Sequence, residues 1–418
     1  EGYRYLTDFD FSYSSVGFHY SLGEVRILKR IAPLLEKNAV SVIYNIKNRS
    51  ADPIKLRLNP VVCFRAREQL CVGDSTNIKH KIFSQNIAAV ESEKGYMVLY
   101  SDKASFHETP PSGRLREDIS YSGNKEAGEN HSEDLYQPLY LDIAIEPLMD
   151  EDFLVVALGY ETEVETAQAF KEFLNGERYR SRFISSGAGG TILSLLSAAG
   201  TFIVDSDSKK TVIAGFPHSG ERGREAMISL LGLTLVKGEY DTAESILEHF
   251  LNRAGREGIP SGFLGGKAEY RDVDTSFWMI DRMYQYMNGV GVERFKGLLH
   301  TYWWTLKSMM RNHLERERDG LLMHEGGTWM DPLKRNNAVE VQGLWYNALR
   351  IMERFADLME DTGDDINFKS IYVNFEENFQ GRYWNGRYLS DCLGDDSLRP
   401  NQIIPLSLEF NVIDGNMS

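Results

Sequence analysis

The sequence predicts an N-terminal antiparallel β-sandwich followed by a ring of helical hairpins. Three observations give this fold class. Apolar and polar residues alternate in short runs up to about residue 160, as half-buried strands require. Beyond that point apolar residues recur at helical spacing. The connections between those helices alternate between short turns and long Gly-rich loops, as hairpins arranged in a ring would give. A chain of 418 residues, 42% hydrophobic, can also fill more than one core.

The strand signals come first. "AVSVIYNIKN" (39–48), "IKLRLNPVVCF" (54–64), "YMVLYS" and "LYLDIAI" alternate, with Asn, Asp, Gly and Ser clusters between them. Residues 112–138 are polar and lack periodicity, which predicts a long loop or flap. "EVETAQAFKEFLNGERYR" carries one apolar face and predicts a linking helix. The expected organisation is therefore a β-sandwich domain over 1–162, a linker helix over 163–188 and a helical domain over 189–418. Within the last, helices are expected at 192–199, 223–237, 242–254, 273–288, 292–315, 338–359, 365–379 and 402–409.

Composition excludes several function classes. The net charge of −15, from 61 acidic against 46 basic residues, argues against a nucleic-acid partner. No apolar run approaches the ~18 residues of a membrane span. Cys63, Cys71 and Cys392 are too sparse for a disulfide framework or a zinc site, and predict a reducing, cytoplasmic setting. The nine histidines are scattered, and no phosphate-binding Gly loop or Ser/Cys nucleophile motif is present. The aromatic content is high: 21 Phe, 21 Tyr and 6 Trp, which can serve as core or stack on sugar rings.

Four stretches could carry chemistry. "GFPHSGERGRE" places Arg224 and Glu225 at a helix start, where Glu225 could serve the helix dipole or join Arg224 in a fork over a ligand. "YRDVDTSFW" places Asp274 at a helix start with Trp278 one turn later, read either as a cap or as a hydroxyl acceptor beside a ring. "GGTWMDPLKRNNAVEVQGLWYNALR" sets Asp331 after Trp329, then Glu340, Trp345 and Tyr346 on a helix. A carboxyl pressed against an indole is kept protonated by desolvation, as a general acid needs. "LRPNQI" brings Arg399, Asn401 and Gln402 to another helix start, to cap it or to face a pocket. His324 and Glu325 are expected at the surface.

Together, "TVIAGFP", "GRE", "MISL", "GLTLVKGEYDTAESIL", "VDTSFWMI", "TWMD", "AVEVQGLWYNAL" and "RPNQI" resemble the glycogen debranching enzymes of the amylo-α-1,6-glucosidase type, and more distantly the glucoamylases. They occur in family order over about 200 residues, 211–410. The N-terminal "NPVVCFR" resembles the family's β-sandwich more weakly. The resemblance implies an (α/α)6 barrel, a six-hairpin glycosidase, expected to be incomplete at the C-terminus. It implies inverting hydrolysis of α-1,6-linked glucose stubs of a glycogen-like α-glucan, without metal or organic cofactor. It places the general acid at Asp331 and the substrate-binding residues at Arg224, Glu225, Asp274, Trp329, Glu340, Trp345 and Asn401. The catalytic base is expected outside this segment. His218, Ser219 and Arg222 stand where the family has aromatics, and Glu225 stands where it has Asp. These departures leave two rivals open: a related barrel glycosidase acting on another oligosaccharide, and a non-catalytic glucan-binding protein.

Overall fold

A computed structural model describes residues 2–12, 15–33, 39–65, 70–71, 78–109, 114–126, 128, 130, 131–159, 190–216, 219–264, 267–330, 333, 335–362 and 365–413. The chain divides into two compact units, Glu1–Ala198 and Ala199–Ser418. The expected linker helix at 163–188 lies outside the described residues.

The first unit is built from strands. They are β1 (Leu6–Ser12), β2 (Ser15–Leu22), β3 (Val25–Pro33), β4 (Ala39–Asn48), β5 (Ile54–Leu58), β6 (Lys79–Ser84) and β7 (Ile87–Ser92). They continue with β8 (Gly95–Ser101), β9 (Ser105–Glu108), β10 (Arg114–Ser120), β11 (Ser132–Gln137), β12 (Leu139–Ile145) and β13 (Asp150–Leu158). Eight form one sheet in the order β1-β2-β3-β4-β13-β8-β7-β6, and β5-β12-β9 form a second. Ile46, Val90, Leu99 and Phe153 of the large sheet pack against Phe106, Leu139, Leu141 and Ile145 of the small one. That is the sandwich core. The two-residue period of β13 sends Leu154, Val156 and Leu158 into a separate cluster with Ala32, Ala39 and Val98.

The loop expected at 112–138 is a correction. Arg114–Ser120 and Ser132–Gln137 pair as antiparallel strands, with a register shift between Arg116 and Ile119. Alternation is missing there because polar contacts hold the pair. Arg116 Nε donates to Gln137 Oε1 at 3.1 Å, and Tyr121 Oη donates to Glu133 Oε2 at 2.7 Å.

The second unit is helical. The short α1 (Ser122–Glu126) belongs to the first unit and α2 (Gly190–Thr201) runs across the boundary; the second unit continues with α3 (Gly223–Leu233), α4 (Tyr240–Leu251), α5 (Thr275–Val290) and α6 (Val292–Leu314). Then follow α7 (Val339–Leu358), α8 (Phe368–Tyr383) and the short α9 (Ile404–Ser407). Burial sorts these helices into two layers. On α6 the buried residues Phe295, Leu298, Leu299, Tyr302, Leu306 and Met309 recur at one-face spacing, and on α8 Phe368, Tyr372, Phe375, Phe379 and Tyr383 do the same. By contrast α5 is buried at every position from Thr275 to Tyr284, and α7 at every position from Val339 to Leu349. Helices buried all round form the inner layer; those with one buried stripe lie outside it. Gly291, at φ 85°, makes the short turn from inner α5 to outer α6. Among the described residues no helix is long and apolar enough to cross a membrane.

Candidate active site

Helices α3, α5 and α7 begin where the long loops enter them, and hydrogen bonds tie those beginnings together. Gly223 opens α3, and its amide donates to Ser261 O at 3.1 Å. A Cβ at Gly223 would sit 2.0 Å from the carbonyl oxygen of Pro260, so only glycine lets the helix start this close. The next residue, Arg224, is buried and turns inward. Its Nε donates to Asp274 Oδ1 at 2.9 Å, its Nη2 lies 2.9 Å from Asp272 Oδ1, and Nη2 also donates to Gly327 O at 2.9 Å.

Asp274 precedes α5 but makes no side-chain cap. Its carboxylate is committed to Arg224 instead. Burial pushes the Asp274 carboxyl up to about 7, against Arg224, which pulls it down, while Asp272 adds to the rise. Asp272 keeps 12% of its side-chain surface exposed, whereas Asp274 keeps 1%. Of the two acids gripping Arg224, Asp272 is the less buried, and its Oδ2 also accepts from Thr275 Oγ1 at 3.4 Å.

The loop before α7 closes the third side. Gly327, at φ 67°, points its carbonyl at both Arg224 and the amide of Val273, which donates at 3.0 Å. A Cβ there would meet Arg271 O at 2.6 Å. His324 fixes the base of the loop: Nδ1 donates to Gly326 O at 3.1 Å and Nε2 accepts from the Ala338 amide at 2.9 Å. Burial pushes its pKa down to about 4, so the ring is neutral. The expected surface position for His324 is thus corrected; Glu325 is exposed. Trp329 follows with 47% of its surface exposed, unusual for an indole in a fixed loop. Asp331 lies outside the described residues, as does His218.

Residues 195–417 match the family model for amylo-alpha-1,6-glucosidase, and residues 1–150 match that for the glycogen debranching enzyme N terminal region. The chain belongs to the amylo-alpha-1,6-glucosidase family. No curated protein sequence matches it. Among solved structures, a bacterial glucoamylase complexed with acarbose aligns at TM-score 0.57 and 12% identity, over 93% of this chain and 62% of that one. A putative kojibiose phosphorylase from the human microbiome aligns at TM-score 0.49 and 11% identity, over 86% and 54% respectively. The chain thus spans about three fifths of the glucoamylase's length. The glucoamylase likeness establishes the fold: a sheet-rich domain followed by the inner and outer helices of an (α/α)6 barrel.

Within this amylo-alpha-1,6-glucosidase domain, four expected pocket residues are placed differently. Glu340 and Asn401 do come together, but in a closed buried cluster. Arg335 Nη1 and Nη2 donate to Glu340 Oε1 at 2.5 Å and Oε2 at 2.9 Å. Asn401 Nδ2 donates to Glu340 Oε2 at 2.8 Å and to Asp391 Oδ1 at 2.9 Å. Arg335 also grips Asp391, and Arg399 pairs with Asp391 and Asp395. Glu340 and Asn401 are 1% and 0% exposed and tie the start of α7 to the 391–401 segment, with Asn401 Oδ1 left unpaired among the described residues. Trp345 is core: its Nε1 donates to Gly320 O at 2.9 Å and Phe277 packs edge-on at 5.6 Å. Glu225 is exposed while Arg224 is buried, because successive helix positions diverge by about 100°. No fork forms. Gln402 Oε1 accepts from the Arg399 amide at 3.2 Å, a capping contact.

Asp272, Arg335 and Asp391 were not singled out from the sequence. The signal for Asp272 was present in the Asp-Val-Asp spacing, since an extended approach to α5 can aim both acids at one cation. Arg335 and Asp391 are separated by 56 residues and carried no local signal.

Proposed function

We propose that this domain binds the terminal glucose of a branched α-glucan and hydrolyses its α-1,6 linkage with inversion. The observation that carries the reading is the Arg224 guanidinium held by Asp272, Asp274 and the Gly327 carbonyl, in the loop that leads to Trp329 and Asp331. Family membership supports the chemistry, and the glucoamylase likeness supports the barrel that hosts it.

Each group has a part. Asp274 positions Arg224, and Arg224 in turn orients Asp272. The less buried Asp272 carboxylate accepts hydrogen bonds from sugar hydroxyls. Trp329 offers an exposed ring for the apolar face of a glucose. Asp331 is the general acid that protonates the departing glycosidic oxygen. A second carboxylate must activate water on the opposite face of the ring; none of the described carboxylates is assigned that part. These two groups do the chemistry between them, so the reading calls for no metal or organic cofactor.

Inversion is the test. Glucose released from an isomaltosyl-branched dextrin, followed by proton NMR before mutarotation, should appear first as the β-anomer. First appearance as the α-anomer would contradict the single-displacement geometry assigned here.

A further inference from the structure

The sandwich unit holds a second chemical cluster, built of thiols and a carboxylate. Cys63 Sγ, Cys71 Sγ and a Glu133 carboxylate oxygen all lie within 4.8 Å of one another. Both cysteines are half-buried free thiols. The backbone brings them together. Val62 and Tyr136 exchange hydrogen bonds at 2.8 and 2.9 Å, and the Asp134 amide donates to Cys71 O at 2.7 Å. The amides of Tyr136 and Asp134 point to the same edge of β11, because amide direction alternates along a strand. Val62 and Cys71 are therefore pinned side by side on one strand edge, and Cys63 follows Val62.

Two fates suit such a trio: a soft cation or a disulfide. Glu133 decides between them. Its oxygens already accept from Arg65 Nε and Nη2, from Tyr121 Oη at 2.7 Å and from the Cys71 amide at 3.3 Å. A cation would have to enter beside the Arg65 guanidinium and strip Glu133 of its donors. A disulfide asks neither. Its S–S bond is about 2.05 Å, so each sulfur moves by roughly 1–1.5 Å, within the reach of a side-chain rotation.

We propose that Cys63 and Cys71 form a redox-active pair that closes reversibly to an intramolecular disulfide by exchange with a small disulfide such as oxidised glutathione. One thiolate attacks a glutathione sulfur, forming a mixed disulfide and releasing one glutathione thiolate. The other thiolate then attacks the protein sulfur of that mixed disulfide and releases the second glutathione. The protein pair loses two electrons and two protons; glutathione disulfide gains both and leaves as two thiols. Burial, with Glu133 adding to it and Arg65 opposing, raises the Cys63 thiol above its ordinary range, so closure accelerates as pH rises.

The experiment exposes the reduced full chain to oxidised glutathione, alkylates it under denaturing conditions and maps the cysteines by mass spectrometry. The expected product links Cys63 to Cys71, leaves buried Cys392 alkylated, and reverts with dithiothreitol. In Cys71→Ser, Cys63 should instead end as a stable glutathione adduct. Stable glutathione adducts on both cysteines of the wild-type chain, or both thiols remaining free, would overturn the proposal. So would stoichiometric zinc binding that blocks the oxidation.

Discussion

Arg224 Nε donates to Asp274 Oδ1 at 2.9 Å across 50 residues of sequence, joining the starts of two barrel helices. The bond is buried, and Asp272 and Gly327 share the same guanidinium. Asp274 is the most buried of these partners, and breaking a buried charged pair costs about 3–5 kcal/mol. Asp274→Ala should therefore lower stability by that amount in urea unfolding. Asp272→Asn should leave the unfolding midpoint within about 1 kcal/mol and raise KM for branched dextrin, because the less buried carboxylate is assigned to sugar hydroxyls. Equal stability losses in both variants would show that the two acids do not divide their roles.

The Glu340 cluster makes the opposite prediction. Glu340→Ala should destabilise the fold by about 3–5 kcal/mol, since Arg335 is 2% exposed and has no solvent to turn to. Below its unfolding temperature the variant should keep the wild-type KM. A raised KM with unchanged stability would return Glu340 to the pocket.

The two tryptophans should separate just as cleanly. Trp345→Ala removes a fully buried ring and should cost about 3–5 kcal/mol of stability. Trp329→Ala should change stability by no more than about 0.5 kcal/mol. It should weaken glucan binding several-fold, readable by calorimetry at a temperature where both proteins are folded.

Acid should act through the buried histidines. Burial, with Arg316 adding to it, holds His313 down to about 3; burial, with Arg316 and Arg335 adding to it and the Gly326 bond opposing, holds His324 down to about 4. Unfolded, both titrate near ~6.5. The unfolded chain thus binds more protons as pH falls below that value, so their stabilisation is full above pH ~6.5 and drains away towards the folded values. Asp274, raised to about 7, works in the opposite sense: its contribution is present at low pH and is lost as pH rises through 7. His313→Leu should remove about 2–3 kcal/mol of the loss between pH 7 and 4.5, at roughly 1.4 kcal/mol per pKa unit. An unchanged pH slope would contradict this assignment.

The barrel helices were legible because α4, α6 and α8 carry one apolar stripe each, and α5 and α7 lie between clear turn signals. The β10–β11 pair was not legible, since side-chain hydrogen bonds replace apolar alternation there. Arg224, Asp274 and Trp329 were singled out from their places at helix and loop starts, and the first two meet in one ion pair. Glu340, Trp345 and Asn401, expected in the pocket, are instead buried among protein partners. A polar or aromatic residue beside a helix start looks the same in sequence whether it faces a pocket or a buried partner. Only the fold reveals that Arg335, Asp391 and Gly320 are those partners.

The most direct test of the central claim is the initial rate of glucose release from an isomaltosyl-branched dextrin by Asp331→Asn beside the wild-type protein. A general acid contributes about 10²–10⁴-fold, so the variant should be at least a hundredfold slower in kcat with dextrin affinity retained. An unchanged kcat would mean that Asp331 is not the acid and that the Arg224–Asp272–Trp329 site does not perform this hydrolysis.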